Sequence, residues 1–167
     1  MSISKQENNK MRVIEYIGTP SAGKTTTSVA HWAELKKDKS ITCEFIREKA
    51  TECVYESGKV HHDHLYLLAD YYNKLKKLAQ AGVDVVVTDS SSLLMLYYNT
   101  LSSIEQQNTI EAFIKLIEAE FDIERRFVYK TDKHVNPKGR VHTDYNDILR
   151  IEKELLDFIK GRGYSIQ

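Results

Sequence analysis

Cysteine and proline are scarce in this 167-residue chain, two of each, and Cys43 and Cys53 are its only thiols. That excludes a disulfide framework and a four-cysteine zinc site, and it fits a reduced, cytoplasmic setting. Net charge is missing as well, with 24 basic side chains against 24 acidic ones. No bulk field therefore draws the chain to nucleic acid or to a membrane surface. No apolar run approaches the roughly 20 residues of a membrane span. Met1 to Lys10 is polar and lacks the apolar stretch of a secretory signal. It reads as a tail, so that residues 1–11 precede a single domain over 12–167. Such a length suits one domain with a real core, not a motor with accessory domains. Repeats and low-complexity segments are absent too.

What the chain does contain is Gly18-Thr19-Pro20-Ser21-Ala22-Gly23-Lys24-Thr25, a complete G-x-x-x-x-G-K-[ST] pattern. Its flanks supply the context the pattern requires. Arg12 to Ile17 is a strand-like run, and Thr26 to Lys37 reads as a helix with Val29, Trp32, Ala33 and Lys36 on one face. Backbone N–H groups from Gly18 through Pro20, Ser21, Ala22, Gly23 and on to Thr26 would converge on a di- or triphosphate, proline excepted as a donor. Lys24 would neutralise the β- and γ-phosphates, and the Thr25 hydroxyl would ligate Mg²⁺. The expected ligand is ATP (or GTP).

Strand-like runs alternate with helical patterns along the rest of the chain. Ile41 to Ile46 reads as a second strand, Val83 to Thr88 as a central strand buried on both faces, Phe127-Val128-Tyr129 as a fourth and Tyr164-Ser165-Ile166 as a fifth. Between them, Leu65, Leu68, Ala69, Tyr72, Leu75 and Ala79 stripe a long helix that Gly82 would end. Ile110, Phe113, Ile114, Ile117 and Phe121 stripe another. Ile148, Ile151, Leu155, Phe158 and Ile159 stripe the last, with Thr143 as its cap. This alternation predicts a parallel sheet with helices on both faces, whose ligands bind beyond the carboxyl ends of the strands.

Those ends hold the candidate chemistry. Val85-Val86-Val87-Thr88-Asp89 is an apolar strand ending in an acid, so Asp89 is a candidate Mg²⁺ holder beside Thr25. The alternative is that Asp89, with Ser90, Ser91 and Ser92, caps the helix that follows. The second strand ends in Arg47-Glu48. Glu48 is a candidate general base for an attacking hydroxyl, and Arg47 a candidate clamp for an acceptor phosphate. A solvated helix start is the plainer reading of both. Lys130 to His142 is a loop of about a dozen residues, long for a compact domain unless it functions. It carries Lys130, Lys133, Lys138 and Arg140, and would close as a basic lid over about residues 130–142, with Arg140 on the transferring phosphate and Lys138 on the acceptor side. His61-His62-Asp63-His64 has no partner group with zinc spacing. Tyr66, Tyr71, Tyr72, Tyr97 and Tyr98 offer ring surface that is more often packing than ligand contact.

With these pieces in order, the chain resembles the small P-loop kinases of the nucleoside and nucleotide kinase type. Within them it is most similar to the ATPase/kinase domains related to ribosylnicotinamide kinase, many of them phage-encoded. Gly18 to Thr25, Glu44 to Ala50, Val87-Thr88-Asp89-Ser90 and the basic loop reaching Arg140 carry the resemblance. It implies a three-layer sandwich, a parallel five-stranded sheet of order 2-3-1-4-5, and transfer of the ATP γ-phosphate to a small hydroxylated acceptor such as a nucleoside, nucleotide or nicotinamide riboside. In that reading Lys24, Asp89, Glu48 and Arg140 form the catalytic set and Thr25 and Asp89 the metal set. The lid departs from the nucleoside monophosphate kinase pattern in having mostly lysines where those have arginines. Two other functions fit the motif: a polynucleotide 5′-hydroxyl or modified-base DNA kinase, which zero net charge disfavours, and a nucleotide-dependent switch or ATPase. The oligomeric state is not legible.

Overall fold

A computed structural model of the protein describes residues 10–49, 63–99, 102–135 and 144–167. Its strands are β1 (Arg12–Ile17), β2 (Cys43–Ile46), β3 (Val85–Thr88) and β4 (Asp122–Phe127). The described helices are α1 (Lys24–Leu35), α2 (His64–Gln80), α3 (Ser92–Tyr98), α4 (Ile104–Glu120) and α5 (Tyr145–Gly161). Among the described residues the sheet has four parallel strands in the order β2-β3-β1-β4. Arg12 aligns with Val85 on one side and Asp122 on the other, and Cys43 aligns with Val85.

Alternation along the strands divides the core between two faces. Val13, Ile17 and Val86 join the larger cluster, with Leu68 and Leu75 of α2, Leu93 and Leu96 of α3, Ile110, Ile114 and Ile117 of α4, and Leu155 and Ile159 of α5. Ile14, Tyr16, Val85 and Val87 face the other way, against Trp32 and Leu35 of α1. Four described helices thus cover one face and α1 the other. All of Val85–Thr88 is buried, as a central strand covered on both faces must be. Burying each large aliphatic side chain contributes about 1.5–3 kcal/mol.

Several sequence expectations are corrected. Among the described residues the sheet is four-stranded, not the five-stranded 2-3-1-4-5 arrangement expected. Beyond α5 the backbone bonds to β4 through Gln167, whose N–H donates to the Arg125 carbonyl (2.9 Å) and whose carbonyl accepts from Phe127 (2.8 Å), and the Tyr164 ring lies under the Arg125 guanidinium; Tyr164–Ile166 forms no ladder. β4 starts at Asp122, and Val128 and Tyr129 lie beyond its end. Its sequence, Asp-Ile-Glu-Arg-Arg-Phe, hides a strand behind charge. The strand tolerates those charges because Glu124 pairs with Arg12 and Arg126 and Arg125 pairs with Glu15. On α1 the face toward the sheet is Ser28, Trp32 and Leu35, while Val29 is 39% exposed. Gly82 does end α2: its φ of +78° and the bonds Gly82 N–H to Ala79 carbonyl and Val83 N–H to Leu78 carbonyl form a left-handed stop. The cap of α5 is Asp144, one residue after the Thr143 expected.

Candidate functional site

The Gly18–Thr25 loop leaves the carboxyl end of β1, the inner strand between β3 and β4, and runs into α1. Gly18 is dictated by space: a Cβ there would stand 2.4 Å from the Val128 carbonyl oxygen. Thr19, Pro20, Ser21 and Ala22 then form a turn closed by the Ala22 N–H and the Thr19 carbonyl (3.3 Å). Proline suits its second position and a positive φ marks its third, where Ser21 sits at +61°. Gly23, at φ +94°, is the N-cap of α1.

That cap sets α1 apart. Side chains of Asp63, Ser91, Ser103 and Asp144 cap α2, α3, α4 and α5 by accepting a first-turn N–H. Gly23 brings no side chain, and no side-chain cap bond is made at α1. At this one described helix the positive dipole end meets no capping side chain, an arrangement that suits an anion. Lys24 bends back so that its Nζ donates to the Gly18 and Thr19 carbonyls, at 3.0 Å each.

Asp89, 3% exposed, follows β3 directly. Its Oδ2 accepts from the Thr25 hydroxyl at 2.7 Å, and its Oδ1 accepts from the Glu48 backbone N–H at 2.8 Å. The cap of α3 is Ser91, not Asp89. One carboxylate therefore ties the threonine of the glycine-rich loop to the exit of β2. Among the described residues no ammonium or guanidinium pairs with it. Two oxygen donors, one anionic, suit a hard cation such as Mg²⁺, which takes few protein ligands and completes its shell with water and phosphate. No group of three or more His, Cys, Asp or Glu side chains gathers among the described residues, so there is no all-protein metal cage among them. Arg47 is exposed at the end of β2, and Thr26 is exposed on the first turn of α1.

The expected lid divides. Arg140 and Lys138 lie outside the described residues, as do His61 and His62 of the histidine run and Cys53. Lys133 is exposed. Lys130 is not a free lid cation: its side chain is 1% exposed and donates to the Ser21 carbonyl (2.9 Å), Asp132 Oδ1 (2.7 Å) and the His134 carbonyl. Of the tyrosines, Tyr72 packs edge-on against Phe113 and Phe121, and Tyr97 against Phe158. Tyr71 is buried with its hydroxyl 3.0 Å from Glu15. Tyr66 and Tyr98 stay exposed.

Sequence reasoning passed over the group beneath the site. Glu15, 0% exposed, accepts from Arg125 Nε (3.0 Å), Tyr71 Oη (3.0 Å), and the Ser91 (2.7 Å) and Ser92 (3.2 Å) hydroxyls. Burial works against the Arg125 charge, yet Glu15 and Glu118 outweigh it and hold its pKa above the ordinary value. Burial and then Glu15 push the Tyr71 hydroxyl well above the usual phenol range. A glutamate inside an otherwise apolar central strand was the available signal, because such a charge needs a partner. A hollow of about 490 Å³ lined by Lys10, Glu118, Phe121, Asp122 and Ile123 lies where β4 begins, at the end of the sheet away from the loop.

Fold and loop together define a parallel α/β protein with a glycine-rich turn of the phosphate-binding pattern at the carboxyl end of β1. No protein family matches the chain, and no curated protein does. Among solved structures it is similar to APE1195, at 18% identity over 93% of this chain and 74% of that one, with a TM-score of 0.46. It is also similar to a cysteine-to-alanine variant of the Mycobacterium tuberculosis APS kinase CysC, at 14% identity over 90% of this chain and 99% of that one, with a TM-score of 0.41. Both likenesses are faint, and the site rests on its own geometry. Among the described residues no helix is long and apolar enough to cross a membrane.

Proposed function

We propose that this chain is a Mg²⁺-dependent phosphotransferase moving the γ-phosphate of ATP (or GTP) to a small hydroxylated acceptor: a nucleoside, nucleotide or nicotinamide riboside. The domain would be residues 12–167 and the lid about 130–142, working in a reduced, cytoplasmic setting. One observation carries the reading: Asp89 is bonded to the Thr25 hydroxyl at 2.7 Å and the Glu48 N–H at 2.8 Å, joining donor loop and acceptor edge.

Each residue then has a task. Amides of Ser21 to Thr26 and the uncapped start of α1 hold the phosphates. Lys24 exchanges the Gly18 and Thr19 carbonyls for β- and γ-phosphate oxygens. Thr25 and Asp89 would hold Mg²⁺, which when bound neutralises charge across the β- and γ-oxygens. Arg47 and Lys138 are assigned to the acceptor, and Arg140 to the transferring group. The acceptor oxygen forms its bond to the γ-phosphorus as the diphosphate oxygen leaves. Glu48, whose N–H is anchored at Asp89, takes the hydroxyl proton.

Calorimetry with ATP and with GTP in magnesium buffer, followed by labelled-phosphate transfer to nucleosides, nucleotides, nicotinamide riboside and oligonucleotides, tests this. Binding plus one labelled small acceptor is expected, lost in Lys24→Ala. Triphosphate loss with no labelled acceptor would leave an ATPase or switch, and no heat with either triphosphate would remove the site altogether.

A further inference from the structure

Ser21 is the one described non-glycine residue with a positive φ, at +61°. It occupies the turn position where glycine or asparagine is at ease and other residues pay a steric cost of about 1 kcal/mol or more. Its own side chain does not hold it there, since Ser21 Oγ is buried with no hydrogen-bond partner among the described residues. Its carbonyl oxygen accepts from Lys130 Nζ at 2.9 Å.

Lys130 is built for that contact. Its side chain is 1% exposed, and the three hydrogens of its ammonium match three acceptors: Ser21 O, Asp132 Oδ1 and His134 O. Asp132 supplies the counter-charge a buried lysine requires. The Lys130 backbone N–H donates to Glu152 of α5 at 2.7 Å, fixing the residue from behind. With its donors committed, the ammonium acts on the loop and not on a phosphate.

We infer that Lys130 is a positioning residue for the phosphate loop: it holds Ser21 in the left-handed turn and ties that turn to the root of the segment after β4. The idea rests on the loop being a nucleotide seat, yet one of its consequences is readable without nucleotide. When Lys130 is removed, Ser21 relaxes toward negative φ, the Ala22 N–H leaves the Thr19 carbonyl, and the amides that follow turn out of register.

Lys130→Met, which keeps the stem and drops the ammonium, is the first variant. In the nucleotide-free protein, amide exchange of the 19–24 segment should quicken at least tenfold while exchange in β1 and β3 stays unchanged. Triphosphate affinity should fall about tenfold or more. Adding Ser21→Gly to Lys130→Met should recover most of that affinity, because glycine adopts the turn without a side-chain clash; a lysine serving only overall stability would not be rescued this way. Unchanged loop exchange in Lys130→Met overturns the inference whether or not wild type binds nucleotide. So does a binding loss that Ser21→Gly fails to repair. Wild type that binds no triphosphate, with loop exchange still quickened by Lys130→Met, would leave the strut standing and remove only the nucleotide reading.

Discussion

Glu15 and Asp89 are close neighbours at the carboxyl ends of β1 and β3, since Glu15 aligns with Thr88 across the ladder. Both are almost wholly buried, at 0% and 3% exposure. Their surroundings differ in kind. Glu15 is closed off by a guanidinium, three hydroxyls and the Ser92 N–H. Asp89 holds one hydroxyl and one amide and has no cationic partner among the described residues. A buried carboxylate with its counter-charge in place is a fastening, and one without it keeps a charge still to be balanced. The fastening also steadies its neighbour: through Ser91 and Ser92, Glu15 fixes the turn that carries Asp89 into α3.

Breaking the fastened carboxylate should do the most damage. Glu15→Ala leaves the buried Arg125 charge to the half-buried Glu118 alone and takes the acceptor from Tyr71, Ser91 and Ser92, and should cost about 3 kcal/mol of unfolding free energy, read by denaturant titration. A double variant, Glu15→Gln with Arg125→Met, should recover much of that loss, because a removed pair harms less than a broken one. If Glu15→Ala unfolds like wild type, the two carboxylates are alike after all.

Asp89→Asn sharpens the comparison from the other side. The amide keeps hydrogen-bonding capacity toward Thr25 and Glu48, so stability should move by less than about 1 kcal/mol. Magnesium-dependent transfer should fall about 100-fold, measured beside a thermal melt of the same sample. A large stability loss with transfer intact would reverse the two roles. A smaller effect is expected for Tyr71→Phe, which takes one donor from Glu15: about 1 kcal/mol by denaturation, with transfer kept.

The smallest effect is electrostatic and lies on the other face of the sheet. Burial, followed by the charge of Arg126 and a lesser push from Arg12, lowers the His31 pKa below its ordinary 6.5, with Glu124 partly offsetting them. Tyr16 Oη sits 2.9 Å from its Nδ1. As pH falls below about 6.5 the unfolded chain takes up this proton before the folded one does, so folding stability decreases with falling pH until the folded imidazole titrates too. His31→Gln should flatten the part of the stability–pH curve that lies just below about pH 6.5. An identical slope in the variant would assign the dependence to other groups.

How much of this was readable in advance follows from how local each signal is. Gly18 to Thr25 is one contiguous pattern, and Val85–Thr88 is a continuous apolar run with Asp89 at its end, so loop, central strand and acid were all visible. β4 was not, because Arg125 and Glu124 look like surface until their partners arrive from β1. By sequence alone Lys130 is one lid lysine among several. Its acceptors come from the glycine-rich loop, Asp132 and the His134 carbonyl, a convergence no spacing announces. The face of α1 was misjudged for a related reason: Ser28, small and polar, is what fits where the helix begins beside the sheet.

The missing side chain at position 18 has a practical corollary. With the Val128 oxygen 2.4 Å from where a Cβ would stand, and the Val128 N–H bonded to the Ile17 carbonyl at 2.8 Å, the loop is moulded against a segment more than a hundred positions downstream. Anyone transplanting this turn into another scaffold would have to carry the neighbouring strand's exit along with it, since the eight letters of the motif record only half of the shape.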